Sequence, residues 1–372
     1  MTFNIASFNC KNGSIDADTG EKINLNKNGL LDENKRYSKN EYICKIIEKY
    51  KIDLIALQEF YVKGLSFQDS ETILEHLPSP FDKYLSNWEM CVFRRVIPES
   101  KKLRIYMEGA LSGRTGSNDS GYVVMWDKSK FSYLDHSKDK LTYGNNWKLT
   151  RESWYNMKVN DEAIARPPQI VCLKPNGTNS EIELRIMNSH LRYGKNDIKV
   201  NYILQNYIHG LHPDYNYKSD GNSLAVKKRR SELETVLEMY NQVNSTFNGN
   251  HSIHTILMGD FNLNPPSFAM LKEFSKSKRN NSSRKEKFDL EMKQTEKTTV
   301  KSKEFEIKPL STGMYLDNSY DHFLIDTSRD NSLSVQKIDT IKDYFMNDEH
   351  PNIANRKHLS DHLPVMMTIN IK

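Results

Sequence analysis

Apolar residues in this chain come in short, strand-length runs, and the runs recur from one end of its 372 residues to the other. They fall at Phe3–Asn9, Asp53–Glu59, Gly121–Trp126, Gln169–Leu173, Leu184–Ser189, Ile256–Gly259, His322–Ile325, Leu333–Lys337 and Pro364–Ile371. Runs of this length bounded by turn residues read as buried strands, and none approaches the length that spans a bilayer. Helical patterns lie between them. Ser38-Lys39-Asn40-Glu41 is a capping box, after which Ile43, Ile46, Ile47 and Tyr50 fall on one helical face. A longer helix is predicted over residues 223–243, with Val226, Leu233, Leu237 and Tyr240 in a stripe and Arg230 on the same face. Short helices are expected at 70–77 and after Pro266, strands at 90–95 and 103–106, and loop over 11–37. Strands interspersed with helices along the whole length predict one α/β sandwich over residues 1–372, not two domains.

Several of these runs end in residues that can carry chemistry. Asn9 closes the first run, Glu59 the second, Ser189-His190 the fifth, and Asp260 and Asn262 follow Gly259. Asp321 and His322 open one late run, and Ser360-Asp361-His362 precedes the last. In extended backbone Asp260 and Asn262 point to one side while Phe261 points into the core. A carboxylate beside an amide at the mouth of a buried strand can hold a hard cation and a phosphate oxygen. Taken singly, each ending also reads as an ordinary polar turn.

The formal charge of +5 is concentrated in one place. Residues 276–303 hold ten Lys and Arg against four acids, a local net of +6, so the segment reads as a basic and mobile insertion or arm. Lys227-Lys228-Arg229-Arg230 is a second basic run. The four cysteines, Cys10, Cys44, Cys91 and Cys172, lack metal-finger spacing and suggest reduced thiols. The first residues lack the basic and apolar regions of a signal peptide, so a cytoplasmic protein is expected.

The order Ser7-Phe8-Asn9, Leu57-Gln58-Glu59, Ser189-His190-Leu191, Gly259-Asp260-Phe261-Asn262 and Ser360-Asp361-His362-Leu363-Pro364-Val365 resembles the endonuclease/exonuclease/phosphatase superfamily, the deoxyribonuclease I-like hydrolases. That resemblance implies a four-layer αββα sandwich of two packed mixed β-sheets, with the site at one edge. It implies Glu59 as principal ligand for Mg²⁺ or Mn²⁺, with Asn9 beside it. Asp260 and Asn262 would orient the attacking water, and Asn262 and Arg166 would contact phosphate. His362 would act as general base or phosphate-polarising group, held in its tautomer by Asp361, and His190 would protonate the leaving group or stabilise the transition state. Asp321 would support the site from a neighbouring strand. Many relatives carry a Glu where this chain has Ser120, so either Asp119 substitutes for it or His190 is oriented otherwise.

Within the superfamily, Gly113-Arg114 and Gly121–Phe131, together with Arg166-Pro167, are most similar to deoxyribonuclease I. The Tyr-Val-Pro-Asn of AP endonucleases is replaced here by Ser189-His190-Leu191-Arg192. With the basic segments, the resemblance implies a metal-dependent nuclease that hydrolyses DNA, with RNA as a further nucleic-acid partner and no membrane partner. Two alternatives stay open: a phosphatase acting on a phosphoinositide or other small phosphoester, and a non-catalytic member that binds nucleic acid or a protein.

Overall fold

A computed structural model describes residues 1–14, 37–61, 72–75, 77, 81–93, 122–135, 141–143, 147–149, 168–177, 182–191, 224–247, 252–281, 289–293, 296–303, 315–328, 333–348 and 350–371. Its first sheet has seven strands: β1 (Thr2–Ser14), β2 (Leu54–Tyr61), β3 (Thr72–Glu75), β4 (Trp88–Phe93), β5 (Tyr122–Asp127), β15 (Leu333–Lys337) and β16 (Val365–Asn370), in the order β15-β16-β1-β2-β5-β4-β3. The second has six: β6 (Phe131–Tyr133), β9 (Gln169–Pro175), β10 (Ile182–His190), β12 (Ser252–Asp260), β13 (Leu290–Met292) and β14 (Asp321–Asp326), in the order β13-β14-β12-β10-β9-β6. Both are mixed: β1 runs parallel to β2 and β10 parallel to β12, while the other neighbours are antiparallel. A small third sheet joins β7 (Leu141–Tyr143), β8 (Trp147–Leu149) and β11 (Thr246–Phe247).

The layers follow from alternation along the strands. Phe3, Ile5, Leu54 and Ala56 of the first sheet meet Leu184, Ile186, Ile256, Met258 and Phe323 of the second in one buried cluster. Residues of opposite parity, Ala6, Phe8, Ile55 and Leu57, pack outward on Tyr42, Ile43, Ile46 and Ile47 of α1 (Lys39–Tyr50). On the far side, Met187 and Leu257 pack on Leu233, Leu237 and Tyr240 of α3 (Leu224–Ser245) and Leu271 of α4 (Leu271–Asn281). Helix, sheet, sheet, helix is the four-layer αββα sandwich. The helix α1 starts on the Ser38–Glu41 capping box and stops at Lys51, which adopts the left-handed conformation. Two short α-helices, α2 (Phe81–Tyr84) and α5 (Pro351–His358), complete the described α-helices, and short 3₁₀ and π turns lie at Pro265–Phe268 and Ile341–Phe345.

Three expectations change. The segment read as a helix at 70–77 contains the strand β3, because Thr72-Ile73-Leu74-Glu75 pairs with Met90–Phe93 and four residues are too few to fix a period. The strand β1 runs on to Ser14, into the predicted loop, with its pairing to β2 shifted between Asn9 and Gly13. The basic segment 276–303 is built in part into the fold: α4 reaches Asn281, β13 edges the second sheet, and Thr299 pairs with His362. The strand expected at 103–106 lies outside the described residues. Among the described residues no helix is long and apolar enough to cross a membrane.

Candidate active site

Following the inner faces of the sheets toward one edge, the side chains change in tiers. The apolar tier just described gives way to Ser7, Gln58, Asn188 and Gln169, all fully buried. Beyond them come Asn9, His190, Asp260 and Asp321, one strand repeat further on. Register brings these last groups side by side, with His190 opposite Asp260 and Asp260 opposite Asp321. Gly259 makes the first of these pairings possible. Its φ is +144°, and a Cβ there would lie 1.7 Å from the Ser189 carbonyl oxygen.

Asp260 is the centre of the group. Its Oδ2 accepts from Asn9 Nδ2 at 2.9 Å and lies 3.5 Å from His190 Nε2 and 3.6 Å from His362 Nε2. Its Oδ1 accepts from the backbone N–H of Asn262 at 2.8 Å. Asn9 Nδ2 also faces Glu59 Oε1 at 3.4 Å, and His190 Nε2 stands 3.6 Å from the same oxygen. Glu59 is the open member, its side chain 27% exposed against 2–3% for Asp260 and His190. On the other flank His362 Nδ1 is 2.9 Å from Asp321 Oδ2, which also accepts from the Thr298 hydroxyl at 2.6 Å. The backbone is bent at these positions: Lys11, Glu59 and Asn262 have φ of +42°, +52° and +50°, values that L residues adopt only when their surroundings hold them.

Burial pushes Asp260 up to about 7, with His362 pulling it down and Asp321 pushing it up again. For His362, burial works against the charged form, but Asp321 and Asp260 together outweigh it and raise the imidazole to about 10. The two sheets thus bring a carboxylate that titrates near neutrality beside an imidazole that is held protonated.

The sequence model of the Endonuclease/Exonuclease/phosphatase family matches residues 1–320. The chain belongs to the endonuclease/exonuclease/phosphatase family. No curated protein sequence matches the chain. Solved structures that are similar to it include D. rerio TDP2 complexed with single strand DNA product, at 13% identity and TM-score 0.45 over 100% of this chain and 99% of that one. TDP2 from C. elegans follows at 10% and 0.47, over 100% and 76%. The human Nocturnin catalytic domain with bound sulfate anion stands at 12% and 0.44, over 100% and 95%. Likenesses this distant leave the family assignment to the sequence model and say nothing of what this chain binds.

Of the residues singled out in this family member's sequence, Asn9, Glu59, His190, Asp260, Asp321 and His362 come together at one edge. Asn262 joins them through its backbone, while its side-chain Nδ2 donates to Leu191 O at 2.9 Å. Asp361 does not orient His362. It is paired with Lys11 at 2.9 Å and Arg356 at 3.3 Å, and Asp321 takes the orienting position. Asp361 sits at a bend ahead of the last strand, where these two cations hold its carboxylate. Arg166, Asp119 and Ser120 lie outside the described residues. The backbone N–H of His190 donates to the Tyr122 hydroxyl at 3.0 Å, a cross-sheet contact not foreseen in the sequence. Arg229 and Arg230, which the sequence places in a basic run, are buried, and Arg230 reaches Ser267 at 3.5 Å.

Thr298 and Lys39 are further members of the site that the motifs do not name, and Ser360 is a motif residue with no role assigned from the sequence. Ser360 Oγ donates to Asn9 O at 2.6 Å and accepts from His362 N at 3.1 Å, which ties the last motif to the first. Lys39 Nζ donates to Cys10 O and Lys11 O, both at 2.8 Å, and so holds the bend that follows Asn9. The serine could have been found from its place in Ser-Asp-His. Nothing in the sequence around Thr298 or Lys39 marks them.

Proposed function

We propose that the protein is a metal-dependent phosphodiesterase that hydrolyses DNA by in-line attack of water on phosphorus. One observation carries the reading: Asp260 Oδ2 is met by Asn9 at 2.9 Å and by the Nε2 atoms of His190 and His362 at 3.5 and 3.6 Å. A buried carboxylate that titrates near 7 suits the removal of a proton from water at neutral pH. A protonated His362 offers its Nε2–H to a phosphate oxygen, where charge develops in the transition state. His190, between Asp260 and Glu59, is the group to protonate the departing oxygen.

The donor set fits a hard divalent cation at Glu59. It is a partly exposed carboxylate, and Mg²⁺ or Mn²⁺ keeps several of its waters and needs few protein oxygens. Asn9 serves it differently from a simple ligand: its nitrogen bridges Glu59 and Asp260, while its oxygen accepts from Lys11 N at 3.0 Å. Asp260, Asp321 and His362 also bring donor atoms within 4.8 Å of one another. Asp321 Oδ2 is engaged by Thr298 and His362, which makes this second group a hydrogen-bonded relay, while the buried Asp321 Oδ1 has no hydrogen-bond partner among the described residues. A bound cation at Glu59 would neutralise charge on the phosphoryl oxygens.

The basic segment 276–303 supports a polyanionic substrate, and the resemblance to deoxyribonuclease I supports DNA within that class. The purified protein is expected to nick supercoiled plasmid with Mg²⁺ or Mn²⁺ and not with EDTA, and Glu59→Gln and His362→Ala to abolish nicking. Cleavage that survives Glu59→Gln sinks the metal assignment. Release of phosphate from an inositol phosphate while plasmid, linear duplex, single strand and RNA all stay intact sinks the nuclease reading.

A further inference from the structure

Between the apolar core and the ionisable groups the two sheets are joined by amide side chains. Gln58 Nε2, from β2, donates to Asn188 Oδ1, from β10, at 2.6 Å and to Ser7 Oγ at 3.1 Å. Asn188 Nδ2 donates back across the interface to Leu57 O at 3.0 Å, and Gln169 Nε2 reaches Cys91 O at 2.9 Å. Ser7 lies one strand repeat before Asn9 and Asn188 one repeat before His190, while Gln58 is joined directly to Glu59. The amide tier is therefore the floor on which the site stands. Gln58 Oε1, fully buried, has no hydrogen-bond partner among the described residues. An unpartnered buried acceptor weakens a fold, and a well-shaped apolar pair in its place can be neutral or stabilising. Fold stability thus does not account for this pair.

We infer that Gln58 and Asn188 are positioning residues, whose mutual hydrogen bond sets the offset between the two sheets at the site edge. Through it they set the approach of Asn9 and Glu59 on one sheet to His190 and Asp260 on the other. Apolar burial is non-directional, so the tier below leaves sliding of one sheet over the other weakly opposed. A hydrogen bond weakens steeply outside a narrow range of distance and angle. Catalytic groups need placement within about 0.5 Å, and a directional contact one repeat away supplies it. The contacts it governs are His190 to Glu59 at 3.6 Å and Asn9 to Asp260 at 2.9 Å.

The inference rests on the proposed hydrolysis, and its test separates the two. Gln58→Met, Asn188→Leu, their combination, and the exchange Gln58→Asn with Asn188→Gln are compared with the native protein. Tm, kcat and KM for plasmid nicking in Mg²⁺ are measured, together with the Glu59–His190 separation in crystals. In the combined apolar variant Tm is expected to stay level or rise, whereas each single variant leaves a buried partner unpaired and lowers it. In all three kcat falls by about 10- to 100-fold and KM moves by less than about threefold. The combination should be no worse than the more damaged single variant, and the exchange should recover part of kcat. A loss of kcat in the combination that comes with a falling Tm, or that equals the sum of the single losses, overturns the inference. If the native protein cleaves no phosphoester, the proposed function fails and the crystals decide alone. A widened Glu59–His190 separation in the apolar variants then upholds positioning, and an unchanged one overturns it.

Discussion

The hydroxyl of Thr298 accepts from the backbone N–H groups of Tyr320 and Asp321 at 3.2 and 3.3 Å, which leaves its single proton for Asp321 Oδ2. With that oxygen accepting from Thr298 and facing His362 Nδ1, the imidazole carries a proton on Nδ1 and turns Nε2 toward Asp260. Thr298→Val keeps the shape and removes both functions. It should cost about 1–3 kcal/mol in denaturant unfolding, because buried partners are left unpaired, and lower kcat about tenfold, with Thr298→Ser recovering most of both. The pH dependence follows from the shifted groups. Folding raises His362 from 6.5 to about 10, so its contribution to stability is complete below pH 6.5 and is lost as pH rises through about 10. Asp260 is also raised, to about 7, so the folded form binds the extra proton there too, and its contribution is lost as pH rises from 3.8 through about 7. The Tm of the metal-free protein should therefore fall from pH 7 to 10, and His362→Gln should flatten that decline. If Asp260 takes the proton from water, activity should fall as pH drops through about 7, a limb that a pH–rate profile would locate.

At the scale of elements, the site depends on how β10 and β12 close on each other. The register places Ser189 opposite Gly259 and His190 opposite Asp260, and the missing side chain at 259 permits both. Gly259→Ala would drive a methyl group into the Ser189 carbonyl and require backbone movement, so a loss of at least about 2 kcal/mol in stability and of measurable activity is expected. Ser38→Ala removes the α1 capping box and should cost about 1 kcal/mol in denaturant unfolding. The segment 296–303 is a strap held from below. Asn352 of α5 donates to Lys301 O and Lys303 O, Arg356 donates to Val300 O, and Thr298 is thereby pressed against Asp321. Part of what composition marks as a basic arm is thus a support of the site.

For the molecule as a whole, charge and fold are separable. The net +6 of residues 276–303 resides mainly in Lys276, Lys278, Arg279, Arg284, Lys285 and Lys287, outside the strap. Replacing these six with Gln should weaken DNA binding and flatten its salt dependence, by about 0.9 in log–log slope for each phosphate that is no longer neutralised, while kcat is kept. An unchanged slope would show that these charges face only solvent. Strand positions, the α1 cap and the motifs at Asn9, Glu59, His190, Asp260 and His362 were legible in the sequence because they are local: periodicity, turn residues and short spacings encode them within a few positions. The short β3 reads as helix because four residues hold no period, and α5, β13 and the third sheet leave too little pattern to find. The choice of Asp321 over Asp361 as partner of His362, the burial of Arg229 and Arg230, and the roles of Thr298, Gln58 and Asn188 were decided by the tertiary structure alone. Each depends on residues far apart in the chain. Asp321 opens a strand of one sheet and His362 precedes a strand of the other, so their pairing is set by how the two sheets face each other, which the order of residues along one strand does not carry.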